Sequence, residues 1–206
     1  IREQVISLEL KPGEAFNDME FAAKIGVSRT PVREAVIQLS EESRIIEIFP
    51  QRGMRIAPID VELVEEARSL RVLLEKQIAG MCCEMATEED IKWLQENVGL
   101  QEFYMENSRP EMVMQLDDEM HHKLFMICHR ELTYGMCQKL AIHYDRIRSL
   151  SVNTVKDNTI IEDHRKIIQF IAEHKKENAM AQMEKHLSRW QLNEGKFRQE
   201  FPDYFK

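Results

Sequence analysis

Residues 26 to 39, Gly26-Val27-Ser28-Arg29-Thr30-Pro31-Val32-Arg33-Glu34-Ala35-Val36-Ile37-Gln38-Leu39, combine a turn, a helix start and two arginines on one face. Gly26 can take the positive φ that a tight turn between two helices needs. Ser28 or Thr30 can cap the helix that follows, and Pro31 is tolerated in its first turn. Val32, Ala35, Val36 and Leu39 fall on one helical face. Arg29 and Arg33, four positions apart, share a neighbouring face that is left free for guanine edges or phosphates in a major groove. The stretch reads as a DNA recognition helix. Upstream, Phe21, Ala22 and Ile25 give a short apolar face from about Asp18 to Gly26, so two helices flank a glycine turn. Downstream, Ile45 to Phe49 is rich in β-formers, Pro50-Gln51-Arg52-Gly53 is a turn signal, and Met54-Arg55-Ile56 alternates before Pro58. This hairpin reads as a wing with Arg52 at its tip, where an arginine beside a glycine can enter a minor groove or grip the backbone.

Composition fits a mostly helical globular chain: 43% hydrophobic, 31% charged, with seven glycines and six prolines in 206 residues, few enough that long helices go uninterrupted. The formal charge of -8 argues against a uniformly basic surface, so DNA binding must rest on local clustering of arginines. Up to Pro58 eight Lys and Arg stand against nine Asp and Glu, and the remaining 20 against 27 place the acid excess further on. No apolar run approaches a membrane span and no basic-then-apolar leader opens the chain, so a cytoplasmic protein is expected. The first residue is Ile, which is read as the sign of a preceding N-terminal piece. Cys82, Cys83, Cys128 and Cys137 lack paired spacing, which points to buried thiols rather than a zinc knuckle or disulfide framework.

From about Asp60 the pattern becomes long helices. Breaks fall near Ala86-Thr87, Ser108-Arg109-Pro110, Arg130-Glu131, Asn153 to Asn158 and His174 to Asn178, which gives six helices. Thr87-Glu88-Glu89-Asp90 is a helix start, and Ser108 and Asn178 stand where caps belong. Four residues carry the chemistry of this half: Asp117 and His121 at i and i+4 on one helix, His164 early in a later helix, and His186 on the last. One carboxylate and three imidazoles converging across a bundle can close around a divalent metal, while hydrogen-bonded packing histidines are the plain alternative. Neutral imidazole suits zinc, nickel, iron or copper, and the carboxylate widens the choice towards manganese. His122, His129, His143 and His174 are read as surface or packing residues, except that His143 and Arg146 lie on a helix that can line an effector pocket. The many methionines read as core filler. The C-terminal Phe197, Phe201, Tyr204 and Phe205 pack back on the bundle or on a second subunit.

The N-terminal residues resemble those of the GntR transcriptional regulators. The shared pattern is Lys11-Pro12-Gly13-Glu14, then Gly26 through Ala35, then Arg52-Gly53. The resemblance implies DNA contacts at Ser28, Arg29, Thr30, Arg33, Arg52 and Gly53. Where the family has a Glu-Gly-Leu turn this chain has Glu42-Ser43-Arg44, so Ser43 is expected to tolerate a glycine-like conformation. The second half resembles the FCD ligand-binding domain through Leu70-Arg71 with Leu74-Glu75, Leu116-Asp117 with Met120-His121, Glu162-Asp163-His164-Arg165, and Ala179 through Met183 with His186-Leu187. It implies a metal held by Asp117, His121, His164 and His186, zinc first, with nickel or manganese as alternatives, and a small carboxylate effector against it. Arg71 is either an intrahelical salt bridge with Glu75 or, as the resemblance favours, a carboxylate clamp.

The expectation is thus a mainly α protein: a winged helix-turn-helix over 1–58 and an all-α six-helix bundle over 59–206. As a homodimer it would bind double-stranded DNA and a small organic acid, have no membrane association, and act as a repressor. The competing readings are a metal-dependent enzyme using the Asp/His set and a metal-free dimerising DNA-binding protein.

Overall fold

The computed structural model describes residues 1–154 and 159–206. The expected break near Asn153 to Asn158 therefore lies partly outside the described residues. The chain runs α1 (Arg2–Ile6), β1 (Ala15–Phe16), α2 (Asp18–Ile25), α3 (Arg29–Glu42), β2 (Ile46–Phe49) and β3 (Gly53–Ile56). Then follow α4 (Val61–Met85), α5 (Glu88–Glu106), α6 (Pro110–Ile127), α7 (Glu131–Leu140), α8 (Ile142–Thr154), α9 (Thr159–Ala172), α10 (Lys176–Leu187) and α11 (Trp190–Glu200). Among the described residues no helix is long and apolar enough to cross a membrane.

The first part is a winged helix-turn-helix. Asn17 caps α2 by accepting from the Met19 and Glu20 amides, and Gly26 ends it at φ 73. That left-handed residue turns the chain into α3, whose first residue follows Ser28. Strands β2 and β3 pair antiparallel with Glu47 opposite Arg55 and Phe49 opposite Gly53. Strand β1 adds to the other edge of β3. It escaped the sequence reading because two residues cannot display an alternation. Phe16, Phe21, Val32, Val36, Ile46 and Ile56 form the core of this part, and Ile142 of α8 joins them.

The left-handed position before the wing differs from expectation. Ser43 takes φ -118 and ψ -11 as the C-cap of α3, and the positive φ of 53 falls on Arg44. The cap residue stays nearly helical, so the chain reverses one position later, at the usual site of a left-handed terminator.

Asp60 caps α4 by accepting from the Glu62 and Leu63 amides, and Thr87 with Asp90 forms a reciprocal capping box on α5. Two expected helices are divided: α7 from α8 at Ala141, and α10 from α11 at Ser188-Arg189. Ala141 (φ -76, ψ -8), Ser188 and Arg189 keep near-helical dihedrals, so no glycine or proline announces these breaks. Ser108 and Asn178 do not cap. Ser108 has φ 54 and precedes the cap residue Arg109. His174 (φ 55) ends α9 so abruptly that α10 restarts at Lys176, with Asn178 inside it.

Helix α4 lies along α10, α5 along α6, and α9 along both α5 and α10. Their core includes Leu94, Leu124, Ile167 and the fully buried Met120 and Met183, and all four cysteines are buried free thiols. The C-terminus packs back on its own chain. Phe197 is fully buried, Ile59 N–H donates to Tyr204 C=O at 2.6 Å, and Lys206 N–H donates to Ile59 C=O at 3.2 Å. The tail thereby holds the segment that joins β3 to α4.

Candidate functional site

Asp117 and His121 project from the same face of α6, one turn apart, and meet His164 from α9 and His186 from α10. All four are buried, and one ligand atom from each lies within 4.8 Å of the others. His186 Nε2 is 3.3 Å from both His121 Nε2 and His164 Nε2. Asp117 Oδ1 is 3.2 Å from His164 Nε2, and Oδ2 is 3.9 Å from His121 Nε2. Burial pushes the His164 imidazole below its ordinary range, and burial with the two neighbouring imidazoles pushes His186 well below it.

Neighbouring acceptors fix which ring nitrogens are bare. His121 Nδ1 hydrogen-bonds the buried Glu75 carboxylate, and His164 Nδ1 pairs with Gln101 Oε1 at 2.8 Å. Gln101 is oriented for this by giving its own amide hydrogens to Asn97 Oδ1 and Leu116 C=O. A carboxylate and an amide oxygen only accept, so both imidazoles carry hydrogen on Nδ1 and turn an Nε2 lone pair towards Asp117 and His186. Lone pairs facing a carboxylate oxygen at 3.2 Å repel unless a cation lies between them. Three donor separations, of 3.2–3.3 Å, match the ~3.3 Å edge of a tetrahedron of ligands at about 2.0–2.1 Å from zinc, while His121 stands 3.9 Å from Asp117. The donor set therefore fits a divalent metal.

A cavity of about 140 Å³ opens beside these residues. Its polar wall is Asp117, His186, Tyr144, Arg71, Arg148 and Arg189, and the rest is largely apolar side chains such as Val113 and Ile147. Arg71 donates to Glu75 at 2.5 Å and lies 5.2 Å from the Tyr144 ring centre. It is thus an intrahelical partner and a cavity residue at once. Burial opposes the Glu75 charge, yet Arg71 and His121 outweigh it and hold the carboxyl down at about 2. Arg148 pairs with Asp117, with Asp118 at 2.7 Å and with Asp145 at 2.8 Å, while Arg189 pairs with Asp163.

The second cluster lies between α3 and the wing, where an open groove of about 600 Å³ is lined by Asp18, Arg29, Arg33, Arg52 and Gly53. Arg29 Nε donates to both oxygens of Asp18 at 3.1 Å, and Arg33 Nη1 donates to one of them at 3.1 Å. Burial alone would raise the Asp18 carboxyl, but the two arginines hold it below the usual carboxylate range. Ser28 makes no side-chain cap bond, and with Thr30 it is exposed at the start of α3. Arg52 is exposed in the turn, where its N–H donates to Phe49 C=O, and Gly53 begins β3 at φ 98.

The FCD domain model matches residues 66–189, and the model of bacterial regulatory proteins of the gntR family matches residues 1–56. The chain belongs to the GntR family and carries an FCD domain. The HTH-type transcriptional repressor RspR of Escherichia coli (strain K12) is 27% identical over 206 residues, covering 100% of this chain and 90% of the relative. A regulator from an unstable DNA locus of Streptomyces ambofaciens is 29% identical over 192 residues, 91% of this chain and 78% of its own length. The solved structure of E. coli McbR/YncC shares the fold with a TM-score of 0.78 at 18% identity, over 97% of this chain and 94% of that one. This GntR-family chain is accordingly a DNA-binding transcriptional regulator, and its relatives are regulators rather than enzymes.

Two residues expected at the effector pocket of this FCD domain face elsewhere. His143 Nδ1 accepts from the Asp60 amide at 3.2 Å, and the fully buried Arg146 donates to Ala57 C=O at 2.8 Å. Neither lines the cavity beside the histidines. Helix α8 presents Tyr144, Ile147, Arg148 and Ser151 to that cavity, so residues 143 and 146 point to its other side, towards the joining segment. The sequence reading missed Arg148, Arg189 and Gln101. The i, i+4 pair Tyr144 and Arg148, and Arg189 three positions after His186, carried the available signal. Gln101 had none.

Proposed function

We propose that this regulator is a homodimeric repressor of the cytoplasm in which residues 1–58 read an operator and residues 59–206 bind a divalent metal and a small organic acid. Zinc is the first choice of metal, with nickel or manganese as alternatives. The observation that carries the reading is the convergence of Asp117 and three imidazoles, two of which have their Nε2 lone pairs set by Glu75 and Gln101. Asp117, His121, His164 and His186 would hold the cation, which would supply a positive centre to attract a carboxylate. The chain's own residues do the rest: Arg71 and Arg148 present guanidinium charge to the acid, Tyr144, whose hydroxyl donates to Leu187 C=O, offers a ring wall, and the apolar lining excludes water.

Helix α8 gives the signal a path, since one face borders the cavity while Ile142, His143 and Arg146 touch the winged core and the joining segment. An effector that favours one placement of α8 shifts DNA affinity by its differential binding energy, typically ~1–3 kcal/mol. Dimer formation is supported by exposed Leu132, Met136 and Leu140, which recur every fourth residue on α7, and by exposed Leu73 on the neighbouring α4. Recognition helices related by a two-fold axis would meet paired half-sites through Ser28, Arg29, Thr30, Arg33, Arg52 and Gly53. The repressor assignment follows the name of the relative RspR.

Metal content of protein purified without an affinity-metal column tests this. About one equivalent per chain in the parent and none in an Asp117→Ala, His186→Ala double variant is the expected result. A parent that refuses zinc, nickel and manganese would leave a metal-free dimerising DNA-binding protein.

A further inference from the structure

Arg29 and Arg33 share one carboxylate, Asp18, which is itself only 3% exposed, while the two arginines are 56% and 49% exposed at the groove. The donors used are specific. Arg29 gives only its Nε, which leaves both terminal nitrogens unbonded among the described residues, and Arg33 gives only Nη1, which leaves the edge formed by Nε and Nη2. Each guanidinium thus keeps two parallel N–H donors, the arrangement that grips O6 and N7 of guanine. A free arginine side chain must lose rotamer freedom to reach such a pose, and a tether to a rigid helix start removes part of that loss before DNA arrives. Asn17 fixes that helix start through the two amides it caps.

We infer that Asp18 is a positioning residue for operator recognition, holding Arg29 and Arg33 so that they present paired donors to guanines at neighbouring positions of a half-site. The inference rests on the reading of α3 as the recognition helix. Because the carboxylate is an anion beside the groove, it has a second effect of opposite sign: it repels phosphates and lowers affinity for DNA of any sequence. Asp18 therefore trades nonspecific affinity for discrimination. A residue that merely stabilised the fold would support both kinds of binding alike.

The test uses full-length protein and three probes: a duplex selected by the parent from a random pool, a random-sequence duplex of equal length, and the selected duplex with 7-deazaguanine in place of guanine. Asp18→Asn is expected to weaken the selected duplex roughly tenfold, the size of one good bidentate contact. It should strengthen the random duplex about two- to fivefold at low salt through the lost repulsion. The penalty for 7-deazaguanine should shrink in the variant, and Asp18→Glu should retain most of the parent's preference. Equal losses on the selected and random duplexes in both variants, or an unchanged ratio in Asp18→Asn, would overturn the inference. Arg33→Ala separates the two levels. Operator affinity unchanged in Arg33→Ala would sink the recognition-helix reading and this inference together, whereas a lost preference there with none lost in Asp18→Asn would sink this inference alone.

Discussion

Asp18 and Glu75 are equally buried carboxylates, each 3% exposed, and each binds an arginine, yet their surroundings differ completely. The partners of Asp18 are half in solvent, with side-chain exposures of 56% and 49%, while Arg71, the partner of Glu75, is only 8% exposed and His121 just 1%. Water can solvate the arginines of the groove when their carboxylate is removed. Arg71 meets water only where it borders the cavity. The same side-chain chemistry thus orients exposed groups on the DNA side at little energetic cost, and on the bundle side makes a buried network that must stay complete.

Neutralising each acid in turn and following urea unfolding should separate the two regions most widely. Glu75→Gln leaves a buried guanidinium uncompensated and should cost about 3–5 kcal/mol, whereas Asp18→Asn should cost ~1 kcal/mol or less. Equal costs would show that burial of the arginine is not what separates the two regions. On the proposed metal reading, Glu75→Gln should also weaken metal binding by about 10–100-fold, as read by competition with a chromophoric chelator, because Glu75 orients His121 and is not itself one of the four proposed donors.

A second measurement addresses the seam between the regions. Burial, with the Arg146 charge behind it, pushes His143 down to about 4. Between that value and about 6.5 the unfolded chain takes a proton that the folded chain refuses. Stability from this residue is therefore full above about 6.5 and falls with pH through that window, by up to about 1.4 kcal/mol per pH unit. His143→Asn keeps an acceptor for the Asp60 amide but cannot titrate, so its unfolding free energy should fall less than the parent's between pH 7 and pH 5. Parallel slopes would remove His143 from the account.

The smallest effect is expected before the wing. Arg44 pays for a left-handed φ of 53 that glycine adopts freely, so Arg44→Gly should raise stability by roughly 0.5 kcal/mol, offset in part by the greater freedom of an unfolded glycine. A loss of stability would mean that the Arg44 side chain holds the seam.

The DNA-reading half was almost entirely legible in the sequence, because its signals are local. Gly26, the face of Val32, Val36 and Leu39, and the Pro50 to Gly53 turn each act over a few residues. The short α1, the two-residue β1, the exact left-handed position and the missing cap bond of Ser28 escaped. In the bundle the spacing of Asp117, His121, His164 and His186 named the residues that meet, but not their surroundings. His143 and Arg146 were expected to line an effector pocket, whereas Arg148 and Arg189 line the cavity beside the histidines.

Local signals along the chain suffice for the winged helix-turn-helix, the helical character of the rest, and the family. Backbone propensity, capping and turn chemistry are properties of neighbouring residues, and they survive without knowledge of the remainder. Packing between distant segments is what ties both arginines to Asp18, lets Glu75 and Gln101 set the imidazole protons, and turns one side of α8 to the cavity. Those outcomes depend on contacts between segments 11 to 63 residues apart, and on a helix rotation of about 100° per residue that a chain break without glycine or proline leaves unannounced.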